Sequence, residues 1–219
     1  MDTVIEGWTL TLGLRLYPPR IVASSETVTP STGTDASAES DETLMQRYRR
    51  GSELAFQELY RRHRAPLLRF ARKLSPGTAE GEEIAQEVWM AVIQGRERYV
   101  PRARFVTYLF SIAHRKTVDR WRRLGRSLQF DQNAEEPDGV AGPACYEPDT
   151  QASNIALRTD LLSAIAALPI AQREAFLLRA EGGLTLEEIA AVTHANRETA
   201  KSRLRFALNR LRITLERWS

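Results

Sequence analysis

Apolar residues recur at helical spacing in two separate blocks of this chain, and a long acidic segment divides them. In the first block Ile84, Val88 and Val92 lie on one face of a predicted helix. The last predicted helix of the second block places a longer set on one face: Ala200, Leu204, Ala207, Leu208, Leu211 and Leu215. The pattern predicts an all-α protein.

The first block begins at Asp41 and holds about four predicted helices joined by short turns. The helical period of residues 55–60 resumes at Leu67, so we expect a helix break at Pro66. An acidic cluster, residues 80–83, suits the N-terminus of the next helix, which Thr78 is expected to cap.

The segment between the blocks reads "GRSLQFDQNAEEPDGVAGPACYEPDT". It is too long for a tight connection inside one domain, so residues 125–152 are interpreted as a flexible acidic linker. Residues 1–40 end in a Ser/Thr-rich tail and are expected to form a disordered extension, although their apolar start could add a strand or a partner-binding segment. Two small helical domains are predicted, residues 41–124 and 153–219.

Bulk composition is that of an ordinary cytoplasmic protein. The net charge is only +3, so the distribution of charge carries more information than its sum. Cys145 is the single cysteine, which excludes an internal disulfide, and the three histidines have no ligand spacing. No apolar run approaches the roughly 18 residues of a membrane span, and the N-terminus lacks the cations of a signal peptide. We expect no metal, no cofactor and no stable membrane insertion.

The stretch "GGLTLEEIAAVTHANRETAKSRLRFALNRLR" predicts a helix-turn-helix. Thr185 and Glu188 form a capping box, "THAN" ends that helix, and Asn196 can cap the next. A basic second helix suits the major groove, where cations attract phosphates and Arg binds guanine. The predicted DNA-facing cluster is Arg197, Lys201, Arg203 and Arg205. The alternative is a solvated face, which we assign to Arg210, Arg212 and Arg217.

Cations and aromatic rings alternate in "GRERYVPRARFVTYLFSIAHRKTVDRWRRLGR". Such a pattern suits single-stranded DNA, because phosphates pair with the charges and unstacked bases stack on the rings. The alternative is that the rings belong to the core, which we expect for Phe105 but not for Tyr108 or Trp121.

Four segments, taken in order, resemble the extracytoplasmic-function sigma factors, two-domain bacterial initiation factors of the sigma-70 class. They are "AFQELYRRHRAPLLRFARKL", "AEGEEIAQEVWMAVI", "RFVTYLFSIAHRKTVDRWRR" and "LPIAQREAFLLRAEGGLTLEEIAAVTHANRETAKSRLRFALNRL". The resemblance covers about residues 42–124 and 153–215.

The resemblance implies that the first domain binds the β′ clamp helices of core RNA polymerase and melts the −10 element. The second domain would lie on the β flap and read the −35 element. An anti-sigma factor or another regulator is the further partner that the family implies. The acidic linker would follow the path of RNA through the polymerase, or serve as a plain solvated tether.

The resemblance also implies which residues make these contacts. The −35 element would meet Arg197, Glu198, Lys201, Ser202, Arg205 and Phe206. The −10 element, double-stranded and then single-stranded, would meet Arg98, Arg102, Arg104, Tyr108, Arg115, Lys116, Arg120 and Trp121, with the loop 95–103 cradling a flipped base. Core polymerase would meet Glu82, Glu83, Gln86, Glu87 and Trp89.

Five positions depart from the usual pattern of the family. Tyr108 stands where Trp is usual, and Arg115 stands where Asn is usual. Thr193-His194 replaces Leu-Gly in the turn, and Glu198-Thr199 replaces Gly-Thr. We expect the turn to survive without its glycine, and Glu198 could accept a hydrogen bond from cytosine N4.

Two other classes of function compete with a sigma factor. An autonomous helix-turn-helix regulator would bind duplex DNA but has no need of a basic, aromatic first domain. An enzyme acting on DNA would need a nucleophile or a carboxylate–metal cluster, and the sequence shows no such constellation.

Overall fold

The helical periodicity of the first block becomes four α-helices in the computed structural model, which describes residues 39–124 and 150–215. They are α1 (Asp41–Arg49), α2 (Glu53–Leu74), α3 (Thr78–Gln94) and α4 (Phe105–Arg123), with a 3-10 turn at Arg96–Arg98. The second block forms α5 (Thr150–Ala167), α6 (Ile170–Gly182), α7 (Leu186–Thr193) and α8 (Arg197–Leu215). The all-α prediction is confirmed.

We call residues 39–124 the first half and residues 150–215 the second half. The proposed extension before residue 39 and the acidic segment 125–149 lie outside the described residues. Helix α5 begins at Thr150, three residues before the expected start of the second domain. The division into two domains stays a prediction; within the described chain, helices of the two halves pack against each other, α2 on α6 and α4 on α7.

Helix α2 runs through Pro66 as one helix of 22 residues, so the predicted break is wrong. Proline inside a helix removes one backbone hydrogen bond and costs about 3 kcal/mol. Leu59, Leu67 and Phe70, on both sides of Pro66, are fully buried on the same face. Burying each such side chain contributes roughly 1.5–3 kcal/mol, which offsets the cost of the proline.

The start of α3 also differs from the expectation. Gly77 is the N-cap and supplies no side-chain bond, while Thr78 is the first helical residue, so Thr78 is not the cap. The acidic residue that does lie in the first turn is Glu80, where a carboxylate interacts favourably with the helix dipole.

Two adjacent carboxylates of α1 bind other helices: Asp41 binds α2, and Glu42 binds the start of α4. Asp41 accepts hydrogen bonds from His63 at 2.6 Å and Arg62 at 2.8 Å, and the bond to His63 is the main cause of the lowered pKa of Asp41. Glu42 accepts the backbone N–H of Phe105 at 2.6 Å. A free N–H at the helix start is therefore satisfied from another helix, which holds the first turn of α4 in place.

Both predicted caps of the helix-turn-helix are confirmed. Glu188 N–H donates to the Thr185 hydroxyl at 3.2 Å, and Thr185 N–H donates to the Glu188 carboxylate at 2.8 Å. The Asn196 side chain accepts the N–H of Thr199 at 2.7 Å. The turn before this motif closes α6 at Gly183, whose φ of 60° lies in the left-handed region that glycine adopts without strain.

His194 takes the left-handed position at the end of α7, with φ 53°. The turn therefore survives without the glycine that is usual there, as expected. A side chain in this conformation places Cβ too close to the backbone, at a cost of about 1–2 kcal/mol.

We expect His194→Gly to raise the free energy of unfolding by about 1 kcal/mol, because glycine relieves this strain. His194→Ala is the matched control, since it removes the imidazole but keeps Cβ in the strained position. Urea unfolding followed by circular dichroism measures both. Equal effects of the two substitutions would contradict the explanation.

Helix α8 buries a narrower face than the sequence predicts. Ala200 and Ala207 are fully buried and Leu211 is 5% exposed, against α5, α6 and α7. Leu204 is only partly buried, and Leu208 is half exposed. Leu208 lies at the edge of this apolar face, where packing of α5, α6 and α7 leaves it half exposed.

Candidate nucleic-acid interface

The second helix of the helix-turn-helix presents its polar face to solvent. Arg197, Lys201 and Arg205 are exposed, and Ser202 and Phe206 are partly buried beside them. The Asn196 cap fixes where this helix begins, and the buried Ala200 and Ala207 fix its rotation. The polar face is thus held outward by packing on its opposite side.

Charges at the start of α8 form a small network with α7. Arg197 donates to Glu187 at 2.5 Å, and this hydrogen bond is the main cause of the lowered pKa of Glu187. Glu198 lies 3.6 Å from Arg197 and 3.8 Å from Lys201. Arg197 is therefore held toward α7, whereas Lys201 is only loosely paired and its side chain is 58% exposed.

The two remaining arginines of the predicted cluster differ from each other. The Arg205 guanidinium lies 5.0 Å from the centroid of the Phe206 ring, a cation–π distance, and stays exposed. Arg203 is partly buried; burial lowers its pKa, and the nearby Glu174 charge opposes that shift. Arg203 therefore belongs with α6 and not with the exposed cluster, which corrects the prediction.

The cations predicted to contact the −10 element form two groups, one exposed to solvent and one bonded to carboxylates of this chain. Arg98, Arg102 and Arg115 are exposed, and within the described residues no ion pair engages them. Arg104, Lys116 and Arg120 are each bonded to a carboxylate of this chain.

The two aromatic residues expected to be exposed are both partly buried, so that prediction is wrong. The Tyr108 ring packs 5.3 Å from Tyr99 and 6.3 Å from Phe105. The Trp121 indole N–H donates to the carbonyl of Leu74 at 3.1 Å. Both residues remain partly exposed while they contribute to the packing of the first half.

The buried side chain of Tyr99, which is 3% exposed, anchors the loop 95–103 to the core of the first half. Burial, the largest cause, raises the pKa of Tyr99 to about 12. A Cβ at Gly95 would lie 2.9 Å from the carbonyl oxygen of Ala91 and 3.2 Å from the Tyr108 hydroxyl, so only glycine allows this close approach. Val100 at the tip is 56% exposed. The loop therefore has a fixed base and an open upper surface.

Helix α3 carries the residues predicted to bind core polymerase. Glu82, Glu83 and Gln86 are exposed and Glu87 is partly buried. Trp89 is only 7% exposed, with its ring 5.8 Å from Phe56 and 5.0 Å from Tyr60, so it belongs to the core and offers no surface to a partner.

One residue of this surface was missed. Met90 is 41% exposed and follows Glu83 by seven positions and Gln86 by four. That spacing puts all three on one face of α3. The signal was available in the sequence, as an apolar residue in line with the acidic ones.

The predicted polymerase surface and the predicted −10 surface are joined by ion pairs. Arg120 donates to Glu83 at 2.7 Å and Glu87 at 3.1 Å, and Lys116 lies 3.1 Å from Glu87. Burial pulls the pKa of Glu87 upward, but the bond from Lys116 and the Arg120 charge leave it below its usual value. The two surfaces are therefore adjacent faces of one α3–α4 unit.

Glu188 of the capping box also binds the first half. Arg104 donates to both its oxygens, at 2.7 and 2.5 Å, and the Thr107 hydroxyl donates at 2.7 Å. The bonds from Arg104 are the main reason why the pKa of Glu188 falls to about 2.

Two carboxylates of α6 make further contacts with the first half. Glu174 lies 2.6 Å from Nδ1 of His114, and both side chains are buried. Glu181 accepts from Arg69 at 2.7 Å and from Lys73 at 2.8 Å. We call Glu174, Glu181 and Glu188 with their partners the docking face. Sequence reasoning missed it, because each partner is 60 or more positions away.

Because the pKa of Glu188 is lowered, the free energy of unfolding depends on pH. The depressed pKa means that the carboxylate contributes stability above about pH 4.5, and this contribution is lost as the pH falls toward about 2. We expect Glu188→Gln, which can still form the capping box, to destabilise the chain at pH 7 and to match the parent near pH 2. Urea unfolding at pH 7, 4 and 2.5 tests this; a difference that does not change with pH would contradict it.

Residues 39–124 and 150–215 contain neither a metal site nor a membrane-spanning helix. No group of three His, Cys, Asp or Glu side chains there is arranged to hold a metal ion, even though the rings of His114 and His194 lie 6.1 Å apart. None of the helices described is both long and apolar enough to cross a bilayer.

Two family models match the two halves in order. Sigma-70 region 2 matches residues 59–127, and sigma-70 region 4 matches residues 158–211. The first therefore covers most of α2–α4, and the second contains the helix-turn-helix.

Relatives and solved structures agree with these matches. The chain is 32% identical to the RNA polymerase sigma factor CarQ of Myxococcus xanthus, over 78% of this chain and 95% of the relative. It is 38% identical to the ECF RNA polymerase sigma factor RpoE of Cereibacter sphaeroides, over 73% of this chain and 86% of the relative. The sigma factor RpoE in complex with the anti-sigma factor NepR, from Bartonella quintana, is similar in structure, with TM-score 0.55, 25% identity and coverage of 74% and 96%.

A more distant structure supports the fold alone. CnrH, solved in complex with the cytosolic domain of CnrY, has TM-score 0.58 and 22% identity, and covers 83% of this chain and all of its own. Sigma factors are generally non-catalytic regulators. The chain belongs to the extracytoplasmic-function sigma factors of the sigma-70 class, the RNA polymerase subunits that direct promoter-specific transcription initiation.

Proposed function

We propose that the first half of this sigma factor binds the clamp helices of the β′ subunit and melts the −10 element, while the second half lies on the β flap and reads the −35 element. The observation that carries this proposal is the exposed polar face of α8, held outward by its buried alanines and fixed at its start by Asn196. A capped, basic second helix of a helix-turn-helix is the element that enters a major groove.

Within α8 the proposed contacts have different strengths. Lys201 and Arg205 are exposed and nearly free of ion pairs, so they would supply phosphate attraction and a bidentate contact to guanine. Arg197 must first leave Glu187 or contact DNA beside it. Ser202 and Phe206 would line the edge of the contact.

Glu198 is the proposed source of an unusual base preference. Its side chain is 72% exposed at the first turn of α8, 3.6 Å or more from its cationic neighbours. A carboxylate there can accept a hydrogen bond from cytosine N4 and repels phosphates, so it would favour one base pair and weaken general affinity.

The −10 element would lie across the first half. Arg98, Arg102 and Arg115 are its proposed phosphate contacts, and the partly exposed rings of Tyr108 and Trp121 would stack on unstacked bases. The base of the loop 95–103 is held by the buried Tyr99, which favours a preformed pocket for a flipped base. Arg104, Lys116 and Arg120 would join after exchanging their carboxylate partners for phosphates.

Core polymerase would meet α3 through Glu82, Glu83, Gln86 and Glu87, with Met90 added at the end of this stripe. Trp89 would support the stripe from the core. Methionine is enriched at protein interfaces, and carboxylates around it fit the polar rim of such a contact.

We further infer that the chain itself performs no catalysis, acts in the cytoplasm and is controlled by an anti-sigma factor or a comparable regulator. The complex of RpoE with NepR supports such a regulator. No observation favours the autonomous regulator over the sigma factor.

Reconstitution with core polymerase tests the proposal. We expect purified chain plus core enzyme to start transcripts at defined sites on a genomic template, and neither component to do so alone. Tight binding of the chain to duplex DNA without any initiation would overturn the proposal in favour of an autonomous regulator.

A further inference from the structure

We propose that Glu187 is a positioning residue that presents Arg197 to a single guanine of the −35 element. Glu187 would hold Nε of Arg197, while the two Nη groups donate to O6 and N7 of the guanine. The inference rests on the proposed function, because it assigns one step of −35 reading to two residues of the helix-turn-helix. Arg197 would therefore contact DNA without leaving Glu187.

The pair joins the start of one helix of the motif to the start of the other. Nε of Arg197 donates to Oε1 of Glu187 at 2.5 Å, across ten positions of sequence. Glu187 lies in the first turn of α7, and Arg197 is the first residue of α8. The Arg197 side chain is therefore held at its guanidinium as well as at its backbone.

Within the described residues only one side of the Arg197 guanidinium is used. A guanidinium carries five N–H donors in a rigid planar fork, and the hydrogen bond to Glu187 takes the one on Nε. Glu198 lies 3.6 Å from Nη1, beyond hydrogen-bond distance. Nη1 and Nη2 thus keep their N–H groups for a ligand. Two such parallel donors match the O6 and N7 acceptors of guanine in the major groove.

Glu187 is itself held by the start of α7. A carboxylate in a first helical turn interacts favourably with the helix dipole. The hydrogen bond from Arg197 is the largest cause of the lowered pKa of Glu187, and its own backbone N–H and the Thr185 side chain add to it. The anchor for Arg197 is therefore an ionised carboxylate attached to a capped helix.

The pair contributes little to the stability of the fold. The side chains of Arg197 and Glu187 are 55% and 61% exposed, and ion pairs exposed to this extent add little because water screens them. Other contacts hold the motif together, namely the capping box of Thr185, the Asn196 cap and the buried Ala200. Recognition of a ligand is the role that remains for the pair.

A side chain held in place before DNA arrives loses less rotamer freedom on binding, which strengthens the contact. Fixing the fork also makes the contact stricter. Guanine presents two acceptors side by side, O6 and N7, whereas adenine presents the N6 donor in place of O6. At an A·T pair one Nη group of Arg197 would therefore face another donor.

Base-pair scanning of the −35 element tests the inference in the complete initiation complex. The chain and core polymerase are assayed by run-off transcription on a promoter found in the reconstitution, with each −35 pair changed in turn. We expect one G·C pair whose replacement by A·T lowers transcription by the parent about 10-fold or more, and no such difference in Arg197→Ala. Glu187→Ala should reduce the discrimination at this pair about 3- to 10-fold and leave the other pairs unchanged.

Glu187→Gln is the matched control for charge. It removes the same negative charge as Glu187→Ala, but its amide oxygen still accepts a hydrogen bond from Nε of Arg197, so most of the discrimination should return. Competition with a labelled sigma factor should show equal binding of all variants to core polymerase. Equal discrimination in Glu187→Ala and the parent would overturn the positioning role. So would higher transcription by Glu187→Ala at every promoter, which would mean that Glu187 withholds Arg197 from DNA.

The remaining outcomes separate base reading from the proposed function. A uniform loss in Arg197→Ala at every promoter, with a weaker salt dependence, would identify a phosphate contact and overturn base reading. Normal initiation by the parent without any pair that depends on Glu187 would refute this inference alone. Absence of initiation by the parent would refute the proposed function, and this inference with it.

Discussion

Promoter-dependent transcription is expected to fall about 100-fold when Lys201 and Arg205 are both replaced by alanine. Both side chains are exposed on α8, and neither has a close ion-pair partner in the described residues that would have to be broken first. A lost bidentate base contact costs about 1–3 kcal/mol, and each lost phosphate contact reduces affinity further. Run-off transcription on a promoter of this factor measures the loss.

The control for this prediction lies on the same helix. Arg212→Ala removes an exposed cation outside the proposed DNA face, whose hydrogen bond within residues 39–124 and 150–215 goes to Asn209. It should leave transcription within about twofold of the parent, since surface substitutions of this kind change little. Binding to core polymerase, measured by competition with a labelled sigma factor, should be unchanged in all variants. Loss of core binding in the Lys201/Arg205 variant would refute the assignment of α8 to DNA.

Charge reversal on α3 is expected to weaken binding to core polymerase and to leave promoter specificity intact, the reverse of the result expected for the α8 variants. Glu83→Lys with Glu87→Lys should weaken binding to core polymerase about 100-fold or more, because like charges across an interface cost several kcal/mol. Any transcription that remains at saturating sigma factor should still depend on the same promoter. Competition for core polymerase is the direct measurement.

The ion pairs between α3 and α4 require a second variant before this result can be interpreted. Glu83 and Glu87 also bind Arg120 and Lys116, so charge reversal disturbs the first half itself. Lys116→Gln with Arg120→Gln breaks the same pairs while leaving both carboxylates in place. It should retain core binding and lose promoter melting; loss of core binding here as well would show that the pairs, and not the carboxylates, matter.

The docking face links these two results. Arg104 is both a proposed −10 contact and the partner of Glu188. Substituting Arg104 would therefore change DNA binding and the contact between the two halves together. Variants of Glu181 and Glu188 avoid this overlap, because neither residue belongs to a proposed contact surface.

Features set by near neighbours in the chain could be predicted. The capping box of Thr185 with Glu188 and the cap of Asn196 on Thr199 span three residues each, so their chemistry is visible in sequence. The helical period of the two blocks predicted the all-α class, and the order of the motifs predicted the family.

Features that depend on what packs against a helix were predicted less well. The predicted helix break at Pro66 is wrong, because it considers only the backbone hydrogen bond that proline removes. The burial of Leu67 and Phe70, which stabilises the continuous helix, is not visible in the local sequence. Trp89 was assigned to a surface, although Phe56 and Tyr60 enclose it. Periodicity identifies an apolar face, but only neighbouring helices decide how much of it is covered.

The amino-acid sequence was enough to predict the all-α class, the helix-turn-helix with its two caps and the membership in the sigma factors, since these follow from spacing, residue type and motif order. The packing of the helices was needed to show that Arg203 is partly buried near Glu174, that Lys116 and Arg120 pair with α3, and that three carboxylates join the halves. The reason is the separation of the partners: His114 and Glu174 are 60 positions apart, Arg104 and Glu188 are 84 apart, and Arg69 and Glu181 are 112 apart. No local pattern records a charge whose partner is brought to it by the fold.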